Sequence, residues 1–309
     1  MENKLHVSLS PHIHSRNSTM RTMLDVIIAL VPATVAAVIL FGIPALIVIA
    51  VCVITAVAGE AIFNFLIKKE QTVGDLSAVV TGLILALNLP TSVELWQAAV
   101  GSLFAIIIVK GIFGGLGKNI VNPAIAARVF MLIAFSSVGK AVFPVGMDAT
   151  SGATPLAELA EDKTLNLMDL FLGKCGGALG ETCAVALIIG GIYLIVRKVI
   201  TWHIPVAFIG TTFLFTLAVE GGNLETTLAW VLSGGLMIGA FFMATDYVTS
   251  PSTAKGKLIF GIGAGVITVL IRFWGGYPEG VSFAILLMNI VNPFIDSATP
   301  RKLFGGKKK

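Results

Sequence analysis

The sequence predicts an all-α polytopic membrane protein of about ten transmembrane helices, laid out as two inverted five-helix repeats with broken helices. Three observations carry that expectation. Charged residues make up 12% of the 309 and hydrophobic ones 56%, with a mean hydropathy of +0.94, whereas soluble domains are roughly a quarter charged. Many apolar runs approach the ~20 residues that cross a bilayer. Helix-breaking landmarks also recur at one offset: Ile43-Pro44 with Ile204-Pro205, Gly74 with Gly235, and Pro90 with Pro251, all 161 residues apart. Asn122-Pro123 and Asn292-Pro293 repeat the theme 170 apart, after an insertion.

Taken in order, residues 1–23 form a polar arm around Ser10-Pro-His-Ile-His-Ser-Arg16, without the apolar core of a signal peptide. His12 and His14 alternate there, but two histidines make a poor metal site, so the arm reads as a solvated cytoplasmic segment. Apolar segments follow at 24–41, 43–67, 76–89, 93–113 and 121–138, giving a first repeat over 24–138. Residues 139–180 cannot be a membrane helix and read as an external loop. The second repeat, 181–295, holds segments at 181–196, 203–219, 226–245, 257–274 and 279–295. A basic cytoplasmic tail, 296–309, ends the chain. The third segment is short and stops at Pro90, and the eighth runs into Asp246 and Pro251. Short, broken segments at matching places are expected to line a shared site where the repeats meet.

The basic residues agree with ten spans and both termini in the cytoplasm. Alternating the spans puts 16 of the 21 Lys and Arg residues inside, Lys110 and Lys118 among them. Lys140, Lys163 and Lys174 fall outside, and Arg128 and Arg272 lie within segments. A net charge of +4 therefore calls for no nucleic-acid partner. Cys52, Cys175 and Cys183 form no C-x-x-C pair, which argues against a cluster or zinc site made by this chain alone.

Acids within the spans are the first candidates for function, because charge in lipid is costly. Asp25 and Glu220 sit near segment ends and read as interfacial acids with a basic partner. Glu60 lies inside the second segment and Asp246 ends the eighth. For these two a cation or proton path stands level with simple ion pairing. The glycine-rich Lys110-Gly-Ile-Phe-Gly-Gly-Leu-Gly-Lys-Asn119 lacks the G-x-x-x-x-G-K-[ST] pattern and reads as a tight turn between packed helices. No nucleophile–His–acid set stands out, so no catalytic residue and no metal ligand is assigned. Asp148-Ala-Thr-Ser151-Gly152-Ala153-Thr154 is by composition a polar turn, with small residues leaving the Thr154 hydroxyl sterically open.

Taken together, several of these motifs resemble one family: the D subunit of Rnf electron-transport complexes and, more distantly, the B subunit of the sodium-pumping NADH:quinone oxidoreductase. The resemblance runs through Ser10-Pro-His12, Asp25-Val-Ile-Ile-Ala-Leu-Val-Pro32, Gly59-Glu60, Gly74-Asp-Leu-Ser-Ala-Val-Val-Thr-Gly82, Gly114-Gly-Leu-Gly-Lys-Asn119, Asn122-Pro-Ala124 and Met243-Ala-Thr-Asp246. The family's carrier motif is an acid followed six residues on by the threonine of Ser/Thr-Gly-Ala-Thr, which Asp148 and Thr154 match. The resemblance implies FMN joined through its phosphate to Thr154 by a separate flavin transferase. It implies electron relay in a multi-subunit complex of the cytoplasmic (inner) membrane that couples ferredoxin oxidation and NAD⁺ reduction to Na⁺ or H⁺ export. It leaves room for a noncovalent riboflavin between the halves, and it associates Glu60 and Asp246 with ion transfer. The competing reading from architecture alone is an inverted-repeat transporter or channel for ions or small solutes, which has no use for the Thr154 motif.

Overall fold

Apolar runs without a strand period, punctuated by Gly and Pro, fold into helices, and the helices of the computed structural model follow that punctuation. The structure describes residues 18–145, 153–161, 163, 165–276 and 279–300. Ser18 caps α1 (Thr19–Phe41), with its side chain accepting from the Arg21 N–H. Gly42, at φ 72°, is the single residue between α1 and α2 (Ile43–Leu66), and Pro44 opens α2, where the missing N–H is free of cost. α3 (Ser77–Leu87) and α4 (Leu95–Gly111) follow, and α4 relaxes into a π-helix from Phe104. α5 (Pro123–Ala134) is capped by Asn122, which accepts from the N–H groups of Ala124 and Ile125. Two short helices, α6 (Pro155–Ala160) and α7 (Leu167–Leu172), precede α8 (Ala184–Val196) and α9 (His203–Val219). α10 (Leu224–Leu232) and α11 (Leu236–Met243) are bent by 65° at a three-residue break. α12 (Ala254–Trp274) and α13 (Val281–Ala298) complete the described helices.

Among the described residues, four helices are long and apolar enough to cross a membrane: α1, α2, α12 and α13. The bent pair α10–α11 makes a fifth. The remaining apolar helices (α3, α4, α5, α8 and α9) have 10–17 residues, so the ten expected segments are all helical but half are shorter than a full span. At 1.5 Å per residue α3 covers about 16 Å, against ~30 Å of hydrocarbon. Large apolar side chains stand outward along the long helices, as at Ile39 (76% exposed), Ile43 (72%) and Phe294 (73%), which suits surfaces that meet lipid. α9 packs along α12, α2 along α3 and α4, and α1 along α8, while α13 touches α5 and α12.

Of the three landmark pairs 161 residues apart, two fall at comparable places, and Pro90, just after α3, has no match in Pro251, which lies just ahead of α12. Ile-Pro opens both α2 and α9, and a glycine precedes both short helices, α3 and α11. The Asn-Pro pair does not match: Pro123 opens α5, whereas Pro293 lies inside α13.

The ends of the short helices are closed by other parts of the chain, as buried backbone groups require. The N–H of Gly180 donates to Leu87 O (2.6 Å) and that of Leu179 to Leu89 O (3.0 Å), so the connection ahead of α8 seals the end of α3. Asn88 donates to Ile84 O (2.7 Å) and Met243 Sδ (3.7 Å), and Asn122 to Met243 O (3.1 Å). In the amide orientation that satisfies both neighbours, Asn289 joins Thr249 O to the Asn122 N–H. Elsewhere close packing depends on missing side chains. A Cβ on Gly190 of α8 would sit 2.1 Å from the backbone oxygen of Ala29 in α1. Gly190→Ala is therefore expected to push α1 off α8 and to cost about 1–3 kcal/mol, read as a lowered midpoint in thermal unfolding. Gly210→Ala, with open space around it, serves as the control and is expected to change the midpoint little.

Candidate functional site

Two clefts lie at opposite ends of α3 and α5. The first gathers around Thr154. Thr154 is half-buried and caps α6, its Oγ1 accepting from the Ala157 N–H at 3.2 Å, with Pro155 at the first helical position. Ala153 is described and half-buried, whereas Asp148, Ser151 and Gly152 lie outside the described residues. The hydroxyl expected on an open turn thus starts a helix and borders a cleft. That cleft encloses about 780 Å³ including its open mouth, with Arg128, Lys140, Glu181 and Glu279 among its walls.

Three of these charges, Arg128, Glu181 and Glu279, belong to one cluster with Arg272. Arg128 donates to Glu279 Oε2 (2.7 Å) and to Val138 O (3.3 Å). Arg272 donates to Trp230 O (2.6 Å) and Ser233 O (3.1 Å), pinning the α10–α11 break. Gly234, at φ 72° in that break, adopts a conformation that side chains resist, and a Cβ there would meet Leu156, Arg272 and Glu181. Glu181 stands in the connection ahead of α8 and accepts from the Ala178 N–H at 3.1 Å. Burial, with the nearby Glu279 charge, pushes the Glu181 carboxyl up to about 7, against the pull of Arg128, the Ala178 N–H and Arg272. Burial likewise lifts the thiol of Cys175, on the neighbouring wall, to about 12.

The second cleft lies among α1, α3, α5, α8 and the residues after α11. Its walls are apolar apart from Ser77, Thr81, Lys110, Asn119, Asn122, Asp246 and a few others. Asp246 accepts from Thr249 Oγ1 at 3.0 Å, and Asn119, which donates to Val121 O at 3.1 Å, lines the same cleft. No cation pairs with Asp246 among the described ion pairs.

Glu60 is differently placed. Its Oε1 receives Lys110 Nζ (2.7 Å) and Thr72 Oγ1 (2.7 Å), and Lys110 also donates to Ser77 Oγ (2.6 Å). Asn64 holds Thr72 at 2.9 Å, and Ser77 Oγ donates to Asp75 Oδ1. Glu60 Oε2 is buried without a hydrogen-bond partner among the described residues. Glu60 thus has a basic partner within the protein. The partner is Lys110, placed by charge alternation in a cytoplasmic loop but 4% exposed on the π-helical end of α4. Lys110 lines both the Asp246 cleft and a smaller one beside Glu60, so the two acids sit at either end of adjoining space. Asp25 pairs with Arg197 and Tyr193, as expected of an interfacial acid.

Sequence reasoning passed over Glu181 and Glu279, each the first residue of an apolar segment, and read Lys110 only as an inside cation at the head of a glycine-rich turn. The signal that points to the two acids is Arg128 and Arg272 within apolar runs, since an intramembrane cation needs a buried acid nearby.

Comparison with known proteins agrees with the motifs. Residues 6–305 match the NQR2, RnfD, RnfE family. The chain is similar to the D subunit of the Na(+)-translocating ferredoxin:NAD(+) oxidoreductase complex of Acetobacterium woodii, 48% identical over 99% of this chain and 97% of that one. It is 42% identical to the D subunit of the proton-translocating ferredoxin:NAD(+) oxidoreductase complex of Clostridium ljungdahlii, over 98% and 96% of the two chains. It is 38% identical to the D subunit of the ion-translocating oxidoreductase complex of Stutzerimonas stutzeri, over 94% and 93%. With its length matched almost end to end and its motifs in place, the chain belongs to the NQR2, RnfD, RnfE family.

Proposed function

We propose that this chain is the membrane flavoprotein subunit of an ion-translocating ferredoxin:NAD⁺ oxidoreductase complex, carrying FMN joined through its phosphate to Thr154 and relaying electrons to sister subunits. The observation that carries the proposal is the place of the Thr154 hydroxyl, at the start of a helix and on the rim of a charged cleft, in a chain of this family. The residues present fit the group. Among the described residues Thr154 Oγ1 takes part in one N–H bond only, which an ester oxygen can keep. Lys140 on the same rim offsets phosphate charge, because Arg128 is already met by Glu279. When bound, the flavin supplies one-electron chemistry, and the protein contributes its position and surroundings.

The chain's own residues then divide the work. Arg272 and Gly234 fix the α10–α11 break beside the cleft, and Glu181, with its raised affinity for a proton, holds or releases one at its carboxyl near neutral pH. Glu60, beside the smaller cleft, offers its unpartnered Oε2 to Na⁺ or a proton, and Asp246 offers its carboxylate from the other cleft. The same cleft, apolar with polar ends, suits a noncovalent riboflavin.

The halves are read as inverted five-helix repeats, 24–138 and 181–295, joined by 139–180. Matching contacts support this: α2 packs on α4 as α9 packs on α12, and α1 meets α8 as α5 meets α13. In this arrangement both termini are cytoplasmic, Thr154 is on the outer side, and the partners are sister subunits, membrane lipid and a separate flavin transferase.

The test is to express the chain with its transferase, denature it in SDS and read flavin fluorescence in the gel. A fluorescent band is expected, and a dark one from modified cells rules the proposal out in favour of a transporter or a redox-inactive scaffold. For the ion path, Asp246→Asn in the assembled complex is expected to cut ion transport coupled to electron flow at least tenfold, with flavin attachment unchanged. Unaltered coupling removes Asp246 from the path.

A further inference from the structure

A third cleft opens where the first turn of α1 meets the last turn of α8, beside the Asp246 cleft, with which it shares Thr22, Val199 and Tyr247 as walls. Its lining is polar, with Arg21, Arg197 and Lys198 set against one acid, Asp25. Asp25 is already committed, since both of its oxygens take Arg197 at 3.2 Å and one takes the Tyr193 hydroxyl at 3.1 Å. Among the described ion pairs neither Arg21 nor Lys198 has a carboxylate. Both side chains are exposed. Among the described residues Lys198 is one of three non-glycine positions in the left-handed region, at φ 58°, in the turn that carries the chain out of α8. The amino-terminal end of α1 adds a partial positive charge on the same side.

Next to this cationic pocket stand two apolar stripes that face outward. On α1 they are Leu24, Ile28 and Val31; on α8 they are Ile189, Ile192 (53% exposed) and Val196 (72% exposed). Both stripes follow helical spacing and run from the pocket toward the middle of the helices. A pocket that wants a phosphate, at the water end of lipid-facing helices, matches one ligand at both ends. We infer that this cleft binds the headgroup phosphate of an anionic phospholipid, with the acyl chains lying along α1 and α8. A soluble phosphate would use the cations but not the stripes. A zwitterionic lipid would use the stripes but bring a quaternary amine toward Arg21 and Lys198.

The test uses the purified complex, stripped of lipid in detergent and then offered phosphatidylglycerol, phosphatidylcholine or inorganic phosphate, with bound lipid on this chain read by native mass spectrometry. Phosphatidylglycerol is expected to stay bound where phosphatidylcholine is lost. The double variant Arg21→Ala/Lys198→Ala is expected to retain it roughly tenfold less, because each basic residue near a membrane surface adds appreciable attraction for anionic lipid. Arg21→Lys/Lys198→Arg keeps both charges and should restore retention, and co-elution of the sister subunits reports that each variant is folded. Equal retention by the alanine variant, or equal binding of the two lipids, overturns the inference. Displacement by millimolar inorganic phosphate overturns it as well, by showing a site for a soluble anion.

Discussion

Thr154→Ala, co-expressed with the flavin transferase, is expected to give a band with no flavin fluorescence in SDS, while Thr154→Ser keeps a fluorescent one. The change is all or none, because the alanine has no oxygen to esterify. Two effects must be separated. Thr154 also caps α6, with its Oγ1 accepting from Ala157, and losing a cap costs about 1 kcal/mol. Thr154→Asn resolves them, since Asn caps a helix well but cannot carry the phosphoester. It should be as dark as the alanine variant, with the amount of folded protein close to that of the parent chain. Fluorescence that persists in Thr154→Ala moves the attachment to another residue. A fluorescent Asn variant does the same.

The second large effect is expected at Lys110. Its ammonium and the Glu60 carboxylate are 2.7 Å apart with side chains 4% and 6% exposed, and removing one member of such a pair strands the other. Lys110→Met is expected to destabilise the fold by about 3–5 kcal/mol, seen as an earlier thermal transition in detergent. Glu60→Leu combined with Lys110→Met should recover most of that loss, because an apolar pair of similar volume leaves no stranded charge. Thr72 and Ser77 would lose their bonds to the pair in the double variant, and Asn64 and Asp75 behind them would lose support, so recovery should stop short of complete. Flavin attachment at Thr154 should be unaffected by either variant. A single variant as stable as the parent contradicts the ion pair. A double variant worse than the single one contradicts the account of its cost.

The helices were legible because apolar runs and Gly or Pro stops are written locally. Asn122-Pro123 shows it best, a capping side chain followed by proline at the first helical position, whereas the same pairing at Thr154-Pro155 read only as a polar turn. The lengths were less legible. A run such as 121–138 looks like a full span, but the structure ends α5 at Ala134 and continues in a short 3₁₀ turn, because Arg128 and the carbonyl of Val138 bond to one another. The pairings within the charge clusters were not legible, although Arg128 and Arg272 in apolar runs signal that buried acids exist. Arg128 meets Glu279, 151 residues away, and Lys110 meets Glu60, 50 residues away, and no local pattern encodes which acid a buried cation finds. Charge alternation misplaced Lys110 for the same reason: it counts cations without seeing that one of them is neutralised inside the protein.

The short helix α3 ties these separate clusters into one mechanical part. At one end its last carbonyls are fastened to Leu179 and Gly180, immediately before Glu181. At the other end its first residue, Ser77, is fastened to Lys110 and through it to Glu60. A helix of eleven residues is stiff along its axis, and nearly all of α3 is buried, so it has little room to bend. A displacement of a few tenths of an ångström beside Glu181 is therefore passed down a rod of about 16 Å to the hydroxyl that holds the Lys110 ammonium, and the load at the Thr154 side is borne in part on the Glu60 side.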